Sequence, residues 1–323
     1  MTDLADASLS QQINISAMAA LTAFWFFLVG TCLGSFLNVV VYRLPAGLSL
    51  WREPSRCPAC MTPVRQRDNI PIYGWLKLRG RCRSCGWRIP IRYMLVEMLV
   101  GLQFVVMLLA ELTSGGANLP GRAPEPWAGV VWAVWYAKYP DLLEIYGYYL
   151  LVWYFATGAT LMARDGHGIP WSWGLFAGIA GAVWPAIDPR VHPLVTASSY
   201  GFDLLTTFHR SVAVADCMAG AVLGATAAWL LSAAQGAGAR GETPRCFAAV
   251  CGLFLGFWGS AVWILWWWAF WGASRLAAEL VGRKLLAPLL VTGTIALHVQ
   301  VLTARWSWEL ARASLPWFGV MPH

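Results

Sequence analysis

Long apolar runs separated by short polar stretches dominate the pattern of this 323-residue chain. A helix needs about 20 consecutive apolar residues to cross a bilayer, and several runs reach that length. The clearest predicted spans are residues 16–42, 93–112, 142–163, 170–187, 211–233 and 285–304. The pattern therefore predicts an all-α polytopic integral membrane protein.

A further apolar run, residues 246–280, is too long for a single crossing. Within it, the stretch "GFWGSAVW" (256–263) contains the Gly and Ser residues that favour a tight hairpin. We therefore divide this run into two predicted spans. The total is about eight transmembrane helices.

The distribution of charge predicts the orientation of these helices. Residues 44–92 hold ten of the 23 Lys and Arg residues but only two acids, Glu53 and Asp68, and the first sixteen residues hold no Lys or Arg. Because basic loops stay on the cytoplasmic side, this insert is predicted to face the cytoplasm. The predicted domains are a tail with the first helix (1–43), the insert (44–92), a helical bundle (93–304) and a C-terminal tail (305–323).

The net charge of +7 is explained by this topology. It predicts the lipid bilayer as a partner and no nucleic acid, since no motif of interleaved aromatic and basic residues suggests one.

Two Cys-x-x-Cys pairs lie in the insert, Cys57 with Cys60 and Cys82 with Cys85. Two residues between thiols let both sulfur atoms point at one ion, and two such turns complete a tetrahedron. The alternatives are unligated thiols or a redox pair, and a cytoplasmic location argues against structural disulfides. The spacing predicts a structural zinc site. Four other cysteines lie in apolar runs and are predicted to be small buried residues: Cys32, Cys217, Cys246 and Cys251.

The stretches "GSFLNVVVYRLP" (34–45), "CPAC", "DNIPIYGWLKLRGRCRSC" and "IRYMLVE" (91–97) resemble the N-terminal region of bacterial type IV prepilin peptidases. The resemblance covers residues 34–101. It implies a membrane aspartic endopeptidase of the bacterial inner membrane with eight helices and cytoplasmic active-site loops. Its substrates would be precursors of type IV pilins and pseudopilins. Many members then methylate the new N-terminus with S-adenosylmethionine.

Intramembrane aspartic proteolysis needs two carboxylates at one water molecule, one ionised and the other protonated. Asp165 lies in "RDGHGIP" (164–170), between the third and fourth predicted spans. In the family an Asp occupies this place, followed by a polar turn and then Ile-Pro. The resemblance therefore implies Asp165 as one catalytic acid. The alternative is that Asp165 only ends a helix beside Arg164.

The second catalytic acid is less clear. The family carries Gly-x-Gly-Asp-x-Lys before its sixth helix, whereas this chain has "GARGETPRC" (238–246), with Thr243 in place of the Asp. Glu242 is the only carboxylate in that loop. The dyad is therefore either Asp165 with Glu242, or it is absent. Without it, the protein would be an inactive family member that binds or assembles pilins, or a methyltransferase alone.

Asp216 and Glu97 are among the acids that fall inside predicted spans, where an ionisable group is costly and is by default a functional hypothesis. Asp216 lies in the fifth predicted span, near its outer end. Glu97 lies early in the second span, where an ion pair with Arg92 is the favoured interpretation over a role in orienting a substrate.

Overall fold

The computed structural model describes residues 2–52, 54–119, 129–191, 207–234, 242–281, 289–306 and 309. These residues form helices and connecting turns, with no β-strand among them, which confirms the predicted all-α class. The α-helices are α1 (Thr2–Arg43), α2 (Tyr73–Lys77), α3 (Arg92–Met107), α4 (Pro140–Arg164), α5 (Trp171–Ile187), α6 (Thr207–Ala234), α7 (Glu242–Val281) and α8 (Leu289–Leu302). The chain divides into two compact units, Met1–Leu108 and Leu109–His323.

Among the described residues, three helical segments are long and apolar enough to cross a membrane: Gln11–Arg43, Arg92–Thr113 and Arg210–Leu230. They coincide with the first, second and fifth predicted spans. Shorter apolar helices lie within other predicted spans: Trp171–Ile187, Arg245–Phe257 and Val291–Leu302. The described residues thus have the helices of a membrane protein, while the number eight stays a prediction.

In the first unit, small residues bring α1 and α3 close together. A Cβ atom added at Gly30 would lie 2.8 Å from the Cα of Gly101, and one added at Gly34 would lie 2.8 Å from the Cα of Glu97. The side-chain amide of Asn38 donates a hydrogen bond to the Tyr93 carbonyl over 3.0 Å. Small residues permit such approach of helix backbones in lipid. The two helix ends that bear the insert are therefore held together.

In the second unit, α6 and α7 touch through glycines. A Cβ atom at Gly220 would lie 2.2 Å from the carbonyl oxygen of Gly252, and one at Gly224 would lie 2.2 Å from that of Ala248. Residues four apart share one face of a helix, so Gly220 and Gly224 form a single contact surface. The sequence pattern did not identify this contact.

The long helix α7 folds back on itself at Gly256, whose φ of 66° and ψ of −175° interrupt the helix. The ring of Phe247 lies 6.2 Å from the rings of both Trp263 and Trp267. In a straight helix Phe247 and Trp267 would be about 30 Å apart. The two arms therefore pack side by side, which confirms the predicted hairpin.

Asp216 of α6 helps to hold this hairpin. Its side chain is buried, and its Oδ1 accepts a hydrogen bond of 3.1 Å from the backbone N–H of Phe257, directly after the break. The Ser260 hydroxyl donates to the Gly252 carbonyl over 3.2 Å. The first N–H groups of a helix lack intrahelical partners, and in lipid each unsatisfied group costs several kcal/mol. A structural role thus accounts for the position of Asp216.

We predict that Gly220→Ala destabilises the protein by about 1–3 kcal/mol, because one added methyl group forces α6 and α7 apart. Thermal unfolding in one detergent, followed by circular dichroism, measures this. Gly178→Ala in α5 is the matched control, since its Cβ would meet nothing within 4 Å. Equal transition temperatures for the two variants would contradict the contact.

Candidate functional site

Each Cys-x-x-Cys pair of the insert lies in a tight turn that backbone hydrogen bonds close. The N–H of Cys57 donates to the Thr62 carbonyl over 3.0 Å, and the N–H of Cys82 donates to the Trp87 carbonyl over 2.8 Å. A residue with positive φ reverses the chain directly after the second cysteine of each pair: Met61 and Gly86. The two turns therefore repeat one local structure and present their thiols alike.

These turns bring all four predicted metal ligands together. The Sγ atoms of Cys57, Cys60, Cys82 and Cys85 lie within 4.8 Å of one another. Across the two pairs, Cys57 and Cys85 are separated by 3.8 Å and Cys60 and Cys82 by 3.9 Å. All four are free cysteines, so no disulfide competes. The cluster could hold a metal ion.

The electrostatics of the cluster fit a cationic ligand. Hydrogen bonds that the side chain and backbone of Thr62 donate to the Cys60 thiolate lower the pKa of Cys60 to about 6, and a backbone hydrogen bond from Cys85 lowers the pKa of Cys82. A backbone hydrogen bond from Trp87 lowers the pKa of Cys85, but burial and the neighbouring thiols raise it to about 12. Thiolates are the metal-binding form. Because adjacent thiolates repel, a divalent ion at the centre would stabilise all four.

An ion pair between an exposed arginine and a buried aspartate supports the second turn. Arg83, between the ligands Cys82 and Cys85, donates to both carboxylate oxygens of Asp68, at 2.6 Å and 2.5 Å. The Asp68 side chain is 3% exposed. The hydrogen bonds from Arg83 hold the pKa of Asp68 below its ordinary value. The pair is therefore present at neutral pH and is lost as the pH falls through the lowered pKa of Asp68.

Asp68→Asn is expected to weaken metal binding about tenfold, because groups that orient metal ligands typically contribute 10–100-fold to affinity. Competition with a chromophoric chelator on the purified full-length protein measures the affinity. Arg67→Gln changes an exposed neighbour of Asp68 and should leave the affinity unchanged. Wild-type affinity in Asp68→Asn would show that the ion pair does not orient the turn.

A second acid joins the insert to α3. The Oε2 of Glu97 accepts a hydrogen bond of 2.6 Å from the backbone N–H of Ile72. Ile72 has a φ of 63°, which is an outlier for a β-branched residue. Glu97 therefore stabilises an unfavourable turn just before α2. The sequence offered no signal for this partner, which lies 25 residues away.

The prediction for the remaining cysteines is half right. Cys217 and Cys251 are buried, as predicted, but Cys32 and Cys246 are exposed. An apolar run need not bury each of its residues against protein, because lipid can cover the outward face of a membrane helix.

Asp165 ends α4 in a defined motif. Asp165 is the C-cap residue of the helix. The N–H of Gly166 donates to the Ala163 carbonyl over 3.0 Å, and the N–H of His167 donates to the Met162 carbonyl over 3.0 Å. Gly166 has a φ of 79°, as this type of helix end requires. The sequence "DGHG" thus encodes an abrupt helix stop that leaves the Asp165 side chain exposed.

The charge of Asp165 does not suit its position in the helix. The C-terminus of a helix carries partial negative charge, so an acid there is unfavourable by about 0.3–1 kcal/mol. Helix termination needs only the glycine. The helix end that Asp165 caps therefore does not itself require an acid at this position.

Glu242, the other predicted acid, is the first residue of α7, and its side chain lies outside the described part of the structure. A small apolar cavity shows how α7 is placed. It is lined by residues of α4, by the start of α5 and by the first turns of α7, including Phe155, Ile169, Trp173, Cys246 and Phe247. Ile169 follows Asp165 by four residues and Cys246 follows Glu242 by four. The backbones of both acids thus lie toward the same end of this unit.

The first unit has a counterpart among known families. Residues 28–110 match the Bacterial Peptidase A24 N-terminal domain. The match includes all four cysteines of the cluster, together with Asp68 and Glu97. The resemblance seen in the sequence is thereby confirmed for this region.

The curated relatives of this chain include proteins named prepilin leader peptidase/N-methyltransferase from several bacteria. The protein of Myxococcus xanthus is 50% identical over 88 residues, 27% of this chain and 26% of the relative. That of Pectobacterium carotovorum is 36% identical over 135 residues, 34% of this chain and 46% of the relative. That of Klebsiella pneumoniae is 44% identical over 103 residues, 30% of this chain and 44% of the relative.

The chain thus spans less than half the length of each of these relatives. No solved structure matches it.

Proposed function

We propose that the protein is a membrane aspartic endopeptidase that cleaves leader peptides of type IV pilin or pseudopilin precursors. The observation that carries this proposal is the match of residues 28–110 to the A24 N-terminal domain. The names of the relatives add N-methylation of the new N-terminus, for which S-adenosylmethionine would be the methyl donor. The proposed location is the bacterial inner membrane, with the insert on the cytoplasmic side because of its basic charge.

In this proposal Asp165 is one catalytic acid and Glu242 the other. One ionised carboxylate would take a proton from water while the protonated carboxyl polarises the scissile carbonyl. Support comes from the exposed position of Asp165 at the end of α4 and from the placement of the α7 backbone at the same end of the unit.

We also propose that the four-cysteine cluster holds zinc as a structural ion. With zinc–sulfur bonds of about 2.3 Å, a tetrahedral site has sulfur–sulfur separations of about 3.8 Å. The separations of 3.8 Å and 3.9 Å across the two pairs fit this geometry. Four thiolates leave no open coordination position, so the ion would take no part in the chemistry.

A cleavage assay in membranes tests the proposed activity. A pilin-like precursor from the same cell is incubated with wild-type protein, and the new N-terminus is sequenced. Cleavage at the leader junction is expected. If the folded, metal-loaded protein leaves intact a precursor that a known leader peptidase cuts, the proposal is wrong.

A second candidate function has one observation in its favour. Where the family has Gly-x-Gly-Asp-x-Lys, this chain has Thr243 and Pro244, which lie in the first turn of α7. An inactive member would retain the metal-bearing first unit as a binding or assembly module for pilin-like partners. Co-purification of an uncut precursor with the wild-type protein would favour this function.

A further inference from the structure

Where the insert joins the membrane helices, the surface of the first unit is both apolar and basic. Helix α1 ends at Arg43 and α3 begins at Arg92, and both belong to segments long enough to cross a membrane. Five large apolar side chains at this level are 42–84% exposed: Tyr42, Leu48, Trp51, Ile91 and Tyr93. We call these residues, together with Arg52, the interfacial collar.

Trp51 shows how the collar is oriented. Its ring lies 5.7 Å from the ring of Phe36, although the side chain is 84% exposed. Phe36 precedes the last residue of α1 by seven positions, about 10 Å along the helix axis. Trp51 therefore reaches back beside the membrane helix. Tryptophan is enriched at this level of a bilayer, where its ring is apolar and its N–H meets water.

The loop that carries Trp51 is held in place. The guanidinium of Arg43 donates to the carbonyls of Ser49 and Pro54, over 3.2 Å and 3.3 Å. The Ser49 hydroxyl accepts hydrogen bonds from the backbone N–H groups of Trp51 and Arg52. These hydrogen bonds hold the backbones of Trp51 and Arg52 against the end of α1.

The charge around the collar fits an anionic ligand. One of the two acids of the insert, Asp68, is paired with Arg83. Eight other basic residues of the insert are exposed: Arg52, Arg56, Arg65, Arg67, Lys77, Arg79, Arg81 and Arg88. Basic residues next to an anionic lipid surface contribute about 1 kcal/mol each to binding.

We propose that the interfacial collar binds anionic phospholipids. The Trp51 ring lies at the boundary between headgroups and acyl chains, and the guanidinium of Arg52 binds a lipid phosphate. A soluble acidic peptide would fit the charge but would not reach the face of α1 beside Phe36, where acyl chains cover a membrane helix. The proposal holds whether or not the protein cleaves precursors, so the two can fail separately.

Native mass spectrometry of the full-length protein tests this binding. Protein released from nanodiscs that contain equal amounts of phosphatidylglycerol and phosphatidylcholine should retain more phosphatidylglycerol than phosphatidylcholine. Arg52→Gln should lower the retained phosphatidylglycerol about fivefold, whereas Arg52→Lys should keep it. Arg210→Gln removes an exposed charge from the second unit and should retain lipid like the wild type. An unchanged metal content verifies that each variant is folded.

Photocrosslinking identifies what lies beside Trp51. A benzophenone amino acid at this position, in protein reconstituted into the same lipids, should crosslink to phospholipid. The proposal is overturned if wild type retains both lipids equally, or if Arg52→Gln retains as much phosphatidylglycerol as wild type. Crosslinking to a protein in place of lipid would also overturn it and would indicate a protein partner.

Discussion

Replacing Cys82 by serine is expected to lower the metal content of the purified protein from about one ion per chain to near zero, because a hydroxyl does not replace a thiolate ligand. The insert should then unfold. Between residues 44 and 92, Cys57 is the only buried hydrophobic residue among those described, so an apolar core cannot stabilise this segment. Structural zinc sites contribute about 10–16 kcal/mol in small domains of this kind.

Elemental analysis measures the metal, and hydrogen–deuterium exchange of residues 55–89 reports unfolding. The contacts between α1 and α3 do not involve the cluster, so their amides should stay protected. Cys32→Ser is the matched control, because Cys32 is exposed on α1 and lies outside the cluster. Full metal content in Cys82→Ser would exclude a four-thiolate site.

The metal cluster could be predicted because its geometry is local. Two residues between cysteines fix each pair in a single turn, whatever the rest of the chain does. Asp68 and Glu97 are different, since their partners lie 15 and 25 residues away. No periodicity encodes such a pairing. Asp68 stood out as an acid in a basic insert and Glu97 as an acid in an apolar span, but only the folded chain shows which group each one binds.

The helices were predictable for a similar reason, and their contacts were not. A long apolar run predicts that a segment lies in lipid. Such a segment is helical, because its backbone hydrogen bonds must be made within the segment. Lipid does not determine which face of a helix contacts which neighbouring helix. That choice depends on the close packing of small residues. Thus the break at Gly256 was predictable from its glycine, whereas the facing of Gly220 and Gly252 was not.

The candidate active site divides in the same way. The stop after Asp165 and the start of α7 near Glu242 follow from local sequence. Their approach depends on the packing of α4, α5 and α7, which the apolar pattern leaves open. The structure places the two backbones at one end of the unit, and the catalytic roles of both acids stay predictions.

Asp165→Asn is expected to lower the cleavage rate about 10³-fold, since general acid–base catalysis contributes about 10²–10⁴-fold. The amide has the shape of the carboxyl but cannot take a proton from water. The same substitution should raise the free energy of unfolding. Removing a negative charge from the C-terminus of α4 should stabilise the protein by about 0.3–1 kcal/mol. A cleavage assay and thermal unfolding of the same preparation measure both effects.

Asp141→Asn is the matched control, because Asp141 lies in the first turn of the same helix, where a negative charge is favourable. It should lower stability slightly and leave cleavage unchanged. An Asp165→Asn protein that cleaves at the wild-type rate would exclude Asp165 from catalysis.

Glu242→Gln decides whether the dyad is Asp165 with Glu242. Residues that act as one catalytic unit have strongly non-additive effects, so the double variant should be about as slow as either single variant. If Glu242→Gln cleaves normally while Asp165→Asn does not, the second carboxylate lies elsewhere and Glu242 only provides favourable charge at the start of α7. If Ala248 and Ala249 keep the family's register, Thr243 stands at the place of the family's Asp, and either result shows whether a shift of one residue preserves this chemistry.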